Sequence, residues 1–207
     1  MKIILLASNN ANKIKELTAL LSEFNVEIRS LNDLKIGEPI EDGKTFQENS
    51  LIKAKFGFEK TGLPTLADDS GFCIDSLNNF PGLFSSRFEK AVGGYEKCFE
   101  ILNKMKTDNK AHFTTCISFI YKKNDKITEK CFEGKCPGEF IYPAKGDNNF
   151  GYDPVFKMDG MDKTFAEIPN EIKNKISHRA IAFKMFLDFY KKEMVAGDGF
   201  EPTTFRL

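Results

Sequence analysis

The sequence predicts an α/β protein built on a mixed β-sheet, and three observations carry that prediction. A buried strand, an amphipathic helix and an alternating strand follow one another over residues 3–31. Strand-like and helix-like stretches then keep alternating along the chain, the mark of a sheet with helices packed on it. Late in the chain, two long strand-like segments flank a short polar turn, which makes part of the sheet antiparallel.

Element by element, Ile3 to Ala7 is an uninterrupted apolar run, as in a strand covered on both faces. Ser8 to Asn12 is a polar loop, and from Lys13 to Phe24 the apolar residues Ile14, Leu17, Leu20, Leu21 and Phe24 recur at helical spacing. Val26 to Leu31 alternates and closes a β-α-β unit. Thr45-x-x-Glu48 is a capping box that opens a helix running to about Lys60. Gly62 and Pro64 stop that helix, and the strand after them runs into Leu66-Ala67-Asp68-Asp69-Ser70-Gly71, where the paired aspartates end it. Phe72 to Leu77 is predicted as a separate strand, stopped by Asn78-Asn79-Phe80-Pro81-Gly82. Tyr95 to Met105 carries a helical stripe at Phe99, Leu102 and Met105. Phe113 to Tyr121 and Ile127 to Cys136 form a hairpin around Lys123-Asn124-Asp125-Lys126. Asp147 to Pro154 is a loop, and Ala180, Phe183, Met185, Phe186, Leu187, Phe189 and Tyr190 mark a last helix from near Ser177. Residues 1–194 are expected to form a single domain and residues 195–207, which lack periodicity, a loose and dispensable tail.

Composition narrows the function. With 207 residues, the chain is long enough to bury a real core in one domain. A formal net charge of +0 and a pI near 6.7 speak against a surface that holds a nucleic-acid polymer. They leave room for a small anion in a locally basic pocket. The five cysteines (Cys73, Cys98, Cys116, Cys131 and Cys136) are odd in number and show no metal-site spacing. Most sit in apolar stretches, which suits a reducing cytoplasm. The opening Met1-Lys2-Ile3-Ile4-Leu5-Leu6-Ala7 is too short for a secretory core, and no apolar run reaches membrane-spanning length. A soluble protein without a membrane partner is expected.

The most informative chemistry is Asp68-Asp69-Ser70-Gly71. Adjacent carboxylates repel, and a cation or a shared proton offsets that cost. Two readings stand here: a site for a hard divalent ion such as Mg2+, working with substrate phosphates, or a corner whose aspartates bond the local backbone. Lys13 and Lys15 open the first helix, and His178 and Arg179 open the last. Cations are mildly unfavourable at a helix N-terminus, yet the same place suits a phosphate. Lys15 reads as a solvated side chain. Lys13, in the turn Ser8-Asn9-Asn10-Ala11-Asn12-Lys13, reads as a ligand to an anion. That turn lacks the Gly-Lys-Ser/Thr of a Walker loop, and by itself it matches an ordinary polar connection. In Phe150-Gly151-Tyr152-Asp153-Pro154 the rings read on pattern alone as pegs that pin a loop, though such rings also offer a base a stacking surface.

As an ordered set these segments resemble the inosine-triphosphate pyrophosphatase family. The likeness runs through Ser8–Lys13, Glu41-Asp42-Gly43-Lys44-Thr45-Phe46-x-Glu48-Asn49, Ala67–Gly71, Pro81-Gly82-x-x-Ser85-x-Arg87, Gly151–Pro154 and Ser177-His178-Arg179. The resemblance implies an elongated mixed β-sheet flanked by helices, in two lobes with a nucleotide cleft between them, and a homodimer. It implies Mg2+-dependent hydrolysis of ITP, dITP, XTP and dXTP to the monophosphate and pyrophosphate. By motif position, Asp69 is the catalytic carboxylate and a metal ligand, and Glu41 is the second metal ligand, with Glu38 and Glu48 as alternatives. Ser8, Asn9, Asn10, Ala11, Asn12 and Lys13 would cradle the triphosphate and Ser70 would contact substrate, while Phe150, Gly151, Tyr152, Asp153, Lys173, His178 and Arg179 would recognise the base. Asn9 stands where many relatives have Gly. Two competing readings are a pyrophosphatase of the septum-inhibitor-like fold acting on modified pyrimidine nucleotides, and a nucleotide sensor without catalysis.

Overall fold

In the computed structural model, which describes residues 2–21, 24, 26–148 and 150–195, the chain opens with β1 (Lys2–Leu6), α1 (Ala11–Leu21) and β2 (Val26–Ser30). The two strands pair in parallel from Lys2↔Val26 to Leu6↔Ser30. Asn10 starts α1 three residues before Lys13: its Oδ1 accepts the Lys13 N–H at 3.2 Å. Next comes α2 (Phe46–Thr61), whose predicted cap forms with one change. Thr45 Oγ1 accepts the Glu48 N–H at 3.0 Å, but the Glu48 carboxylate accepts from the Lys44 N–H rather than from Thr45. Gly62 ends the helix in the left-handed region, at φ 69°.

The clearest departure from expectation lies at the aspartates. In place of two strands meeting at a corner, Thr65–Ile74 is one strand of ten residues, β3. It pairs antiparallel with β4 (Lys110–Lys123) at every residue from Thr65↔Ile120 to Ile74↔Ala111. Asp75–Leu77, read as strand, is a 3-10 turn. Between β3 and β4 the chain adds α3 (Ser85–Val92) and α4 (Tyr95–Met105); α3 is absent from the periodicity reading. β4 turns into β5 (Lys126–Phe140) through Asn124 and Asp125, at φ 49° and 60°, as a tight hairpin turn requires. A short β6 (Phe156–Met158), α5 (Asn170–Ile176) and α6 (His178–Tyr190) complete the chain. The sheet order is β2-β1-β3-β4-β5-β6. The tail expected beyond Met194 lies, but for the backbone of Val195, outside the described residues.

Alternation along β3 and β4 decides which helix covers which face. Leu66, Ile117, Phe119 and Tyr121 pack with Phe183 and Phe186 of α6 and with α1. Ala67 and Ile120 pack with Ala54 of α2 on the other face. A third cluster, centred on Phe72, Phe113, Tyr152 and Phe156, joins α4 to the far end of the sheet. The first two clusters make one lobe and the third makes the other. Gly134 shows how close α6 lies: a Cβ there would sit 2.1 Å from the His178 carbonyl.

The edge of β3 opposite β4 is closed at both ends and open between. At its start, β1 pairs with it at Leu5↔Thr65 and Leu6↔Leu66. At its end, the segment before α3 takes over. The Ile74 N–H donates to the Phe80 carbonyl at 3.2 Å, and the Phe72 N–H donates to Ser85 Oγ at 2.9 Å. Gly71 has to be glycine, because a Cβ would lie 2.2 Å from the Gly82 carbonyl. Between these seals, Asp68 and Ser70 meet no strand on that edge among the described residues.

Candidate active site

A cleft of about 770 Å³ opens at this gap in the sheet edge. Ser8, Asn10, Lys13, Glu41, Asp69 and Ser70 line it from the first lobe, and Phe150, Gly151, Tyr152, Asp153, His178 and Arg179 line it from the other side. Most of the residues expected from the sequence therefore meet at one opening, although they are spread from residue 8 to residue 179.

The paired aspartates coexist because consecutive strand residues face opposite ways. Asp68 points to the α1 and α6 side and is fully buried. Its Oδ2 lies 2.9 Å from Lys13 Nζ and 3.3 Å from Arg179 Nε. Burial alone would push its carboxyl up. Lys13, Arg179 and Lys53 outweigh that and hold it well below the usual carboxylate range. Burial pushes Lys13 down and Lys53 and Arg179 add to that, against the pull of Asp68. Ser70 Oγ donates to Asp68 Oδ2 at 3.3 Å and accepts from Arg179 Nη2 at 3.2 Å.

Asp69 faces α2. Lys53 Nζ sits 3.4 Å from Asp69 Oδ1 and 3.3 Å from Glu41 Oε1, and Asn49 Nδ2 donates to Asp69 Oδ2 at 3.2 Å. Burial raises the Asp69 pKa and Glu41 adds to it, against the pull of Lys53 and Lys13. A carboxylate made more basic in this way is a better proton acceptor. Asn49 and Lys53 are absent from the sequence-derived site. Their signal was four-residue spacing on a helix face, with Lys53 buried beside Ala54 and Gly57.

Several expected residues stand elsewhere. Asn9 does not line the cleft: its N–H donates to Glu38 Oε1 at 3.1 Å and its Oδ1 is buried without a partner. Ala11 is exposed on α1, and the side chain of Asn12 lies outside the described residues. Lys173 is buried behind the cleft, where its ammonium pairs with Asp153 and lies 4.5 Å from the Phe150 ring centroid. The Asp153 carboxylate draws the cation inward, so it props Phe150 and Asp153 rather than facing the opening. Of the alternative acids, Glu48 is spent on capping α2, while Glu38 lines the cleft and its Oε1 accepts the Asn9 N–H. Tyr152 is the expected peg, stacked on Phe72 at 5.0 Å with its hydroxyl donating to the Ser85 carbonyl at 2.8 Å. Phe150 remains half-buried at the opening.

Ser177 caps α6, accepting the Ala180 N–H at 3.3 Å, and so fixes His178 and Arg179 in the first turn. His178 stacks on Phe113 at 4.6 Å, and its Nδ1 is buried without a partner. Burial, then Arg179 and Lys173, push its pKa well below 6.5, outweighing Asp68. The unfolded chain therefore binds a proton near pH 6.5 that the folded chain refuses, and folding stability falls as pH drops below that value. His178→Phe keeps a flat ring on Phe113. The expected result is that between about pH 7 and about pH 5.5 the wild type loses roughly 1.3 kcal/mol more in total than this variant. Urea unfolding at the two pH values checks it, and equal losses would refute it.

Nothing among the described residues brings three or more acidic, His or Cys ligands together, and no helix there is long and apolar enough to cross a membrane. Among the relatives, a protein of Zymomonas mobilis subsp. mobilis named dITP/XTP pyrophosphatase is 42% identical over 190 residues, covering 89% of this chain and 90% of its own. One of the same name from Dictyoglomus thermophilum is 43% identical over 201 residues, covering 92% and 97%. The solved structure of a HAM1 protein from Coxiella burnetii superposes with a TM-score of 0.81 at 34% identity, covering 93% of this chain and all of that one. The Staphylococcus aureus Ham1 protein gives a TM-score of 0.78 at 32% identity, with the same coverage. The Ham1 family model matches residues 4–189, a span that holds every cleft residue described above, and the chain belongs to the Ham1 family.

Proposed function

We propose that this chain hydrolyses ITP, dITP, XTP and dXTP between the α- and β-phosphates, releasing a monophosphate and pyrophosphate. The observation that carries the reading is the open edge of β3, where a basic carboxylate, Asp69, stands beside cations from α1, α2 and α6 in one cleft. That the relatives are named dITP/XTP pyrophosphatases supports the choice of substrate.

A divalent ion fits this donor set. The Asp69 and Glu41 carboxylates already converge on one cation, the Lys53 ammonium, and Mg2+ is held by one or two carboxylates together with substrate phosphates. When bound there, it supplies charge neutralisation at the phosphates. Asp69 accepts the proton of the attacking water. Lys13 and Lys53 meet the charge that develops on the pyrophosphate, and Ser8 and Asn10 orient it. Phe150, propped by Lys173, stacks on the purine. His178, held neutral by burial, offers a ring N–H to the 6-keto oxygen and opposes the amino group of adenine. A buried group left without its partner costs enough to make such selection steep. The enzyme is proposed to be a homodimer that works on free nucleotides in the cytoplasm; its zero net charge suits small substrates better than a nucleic-acid polymer.

The deciding experiment is a substrate panel with pyrophosphate detection. Expected are Mg2+-dependent pyrophosphate release from ITP and XTP, little from ATP and GTP, and none after chelation by EDTA. Release of orthophosphate, a preference for methylated UTP analogues, or tight ITP binding without hydrolysis would each overturn the reading.

A further inference from the structure

Arg87 lies in the first turn of α3 and lines the cleft, but its described contacts include no carboxylate. Its guanidinium rests on the Phe84 ring, 5.3 Å from the centroid, and its Nη2 donates to the backbone carbonyl of Glu41 at 3.2 Å, across 46 residues of sequence. The segment that receives this bond has no regular structure from Ile36 to Gly43. Each end is tied down by other means. Glu38 holds the Asn9 N–H at one side, and the Gly43 N–H donates to Asn49 Oδ1 at the other. Between those ties, Ile40 is 84% exposed and anchors nothing. The bond from Arg87 is the described backbone tie in that stretch.

Glu41 also has a side-chain tie to Lys53. That tie is not permanent in character, because a divalent ion held by Glu41 and Asp69 competes with Lys53 for the same oxygens. The backbone bond from Arg87 has no such competitor. We propose that Arg87 is a positioning residue: by holding the Glu41 carbonyl it sets the Glu41 carboxylate opposite Asp69, and so tunes divalent-cation binding. This rests on the assignment of Glu41 and Asp69 as metal ligands. Arginine suits the task because its planar fork stacks on Phe84 while one N–H points at the carbonyl. Its spacing also fits: Ser85, two residues earlier, is fixed to β3 through the Phe72 N–H, so α3 gives Arg87 a base anchored to β3.

Mn2+ titration followed by the EPR signal of the free ion, without nucleotide, reads this directly. The set is wild type, Glu41→Gln, Arg87→Ala, Arg87→Lys and the double variant Glu41→Gln/Arg87→Ala. Arg87→Ala is expected to raise the Mn2+ Kd roughly 3- to 10-fold, equivalent to about 0.6–1.4 kcal/mol. Arg87→Lys, which keeps a charged donor, should recover part of that loss. In the Glu41→Gln background, Arg87→Ala should add nothing, since the carboxylate it places is gone. A normal Kd for Arg87→Ala beside a weakened Glu41→Gln overturns the proposal and leaves the metal ligands standing. So does full additivity of the two changes. An unchanged Kd for Glu41→Gln overturns instead the metal assignment on which the proposal depends.

Discussion

Asp69→Asn is expected to lower kcat on ITP by roughly 10²–10⁴-fold, the usual share of a general base, while the protein keeps its fold. The substitution changes little that holds the structure together. Asn is isosteric, the backbone carbonyl of residue 69 still accepts the Thr115 hydroxyl, and Lys53 keeps its second carboxylate, Glu41, at 3.3 Å. What disappears is the proton acceptor. The same reasoning gives a pH signature. Asp69 must be ionised to take a proton from water, and burial sets its pKa above the ordinary carboxylate value. The rate should therefore fall on the acid side as pH drops through that raised value. Steady-state pyrophosphate release and urea unfolding, measured on the same preparation, check both halves. A near-normal rate would remove Asp69 from the chemistry, and a collapse of stability would make its role structural.

The parts of this molecule that depend on neighbours in sequence were readable, and those that depend on distant partners were not. The apolar run Ile3–Ala7, the Thr45 cap, the Asn124-Asp125 turn and the Ser177 cap are local signals, and each marks an element the structure contains. The continuity of β3 was hidden because two adjacent charges end a strand unless something neutralises them. Here Lys13 and Arg179 meet one charge and Lys53 the other, from residues up to 111 positions away. Lys53 was not singled out, because the carboxylates it meets, Asp69 on β3 and Glu41 before α2, are brought to it only by the fold. Lys173 is a different case. Its place in the family pattern pointed to the base, but Asp153 draws its ammonium behind the Phe150 ring. The helix α3 was missed because Phe88 and Val92 are all the apolar stripe its eight residues show. Its role is set by Ser85 and Arg87, whose partners lie in β3 and in the Glu41 segment.

The neighbouring aspartate should behave in the opposite way: Asp68→Asn is expected to cost about 3–5 kcal/mol of folding stability, the penalty for breaking a buried ion pair from one side. Asp68 is fully buried, Arg179 is 3% exposed, and Lys13 is held in place largely by this carboxylate. Removing the negative charge leaves two cations facing each other in a poorly solvated space, with Lys53 adding a third at longer range. An exposed pair such as Lys104–Glu100 would lose far less on the same treatment, because water takes over. The pH dependence follows from the sign of the shift. A carboxyl whose folded pKa lies below its unfolded value of about 3.8 contributes stability that is present above that value. The contribution is lost as pH falls through the lower, folded one. The gap between wild type and Asp68→Asn should therefore be full near neutral pH and begin to close only below about pH 4. Urea unfolding near neutral pH and again in strong acid tests both statements. A loss under about 1 kcal/mol near neutral pH would mean that water already screens these charges. In that case the tight cluster around Asp68 could not be what keeps ten residues of β3 in one strand through its most charged point.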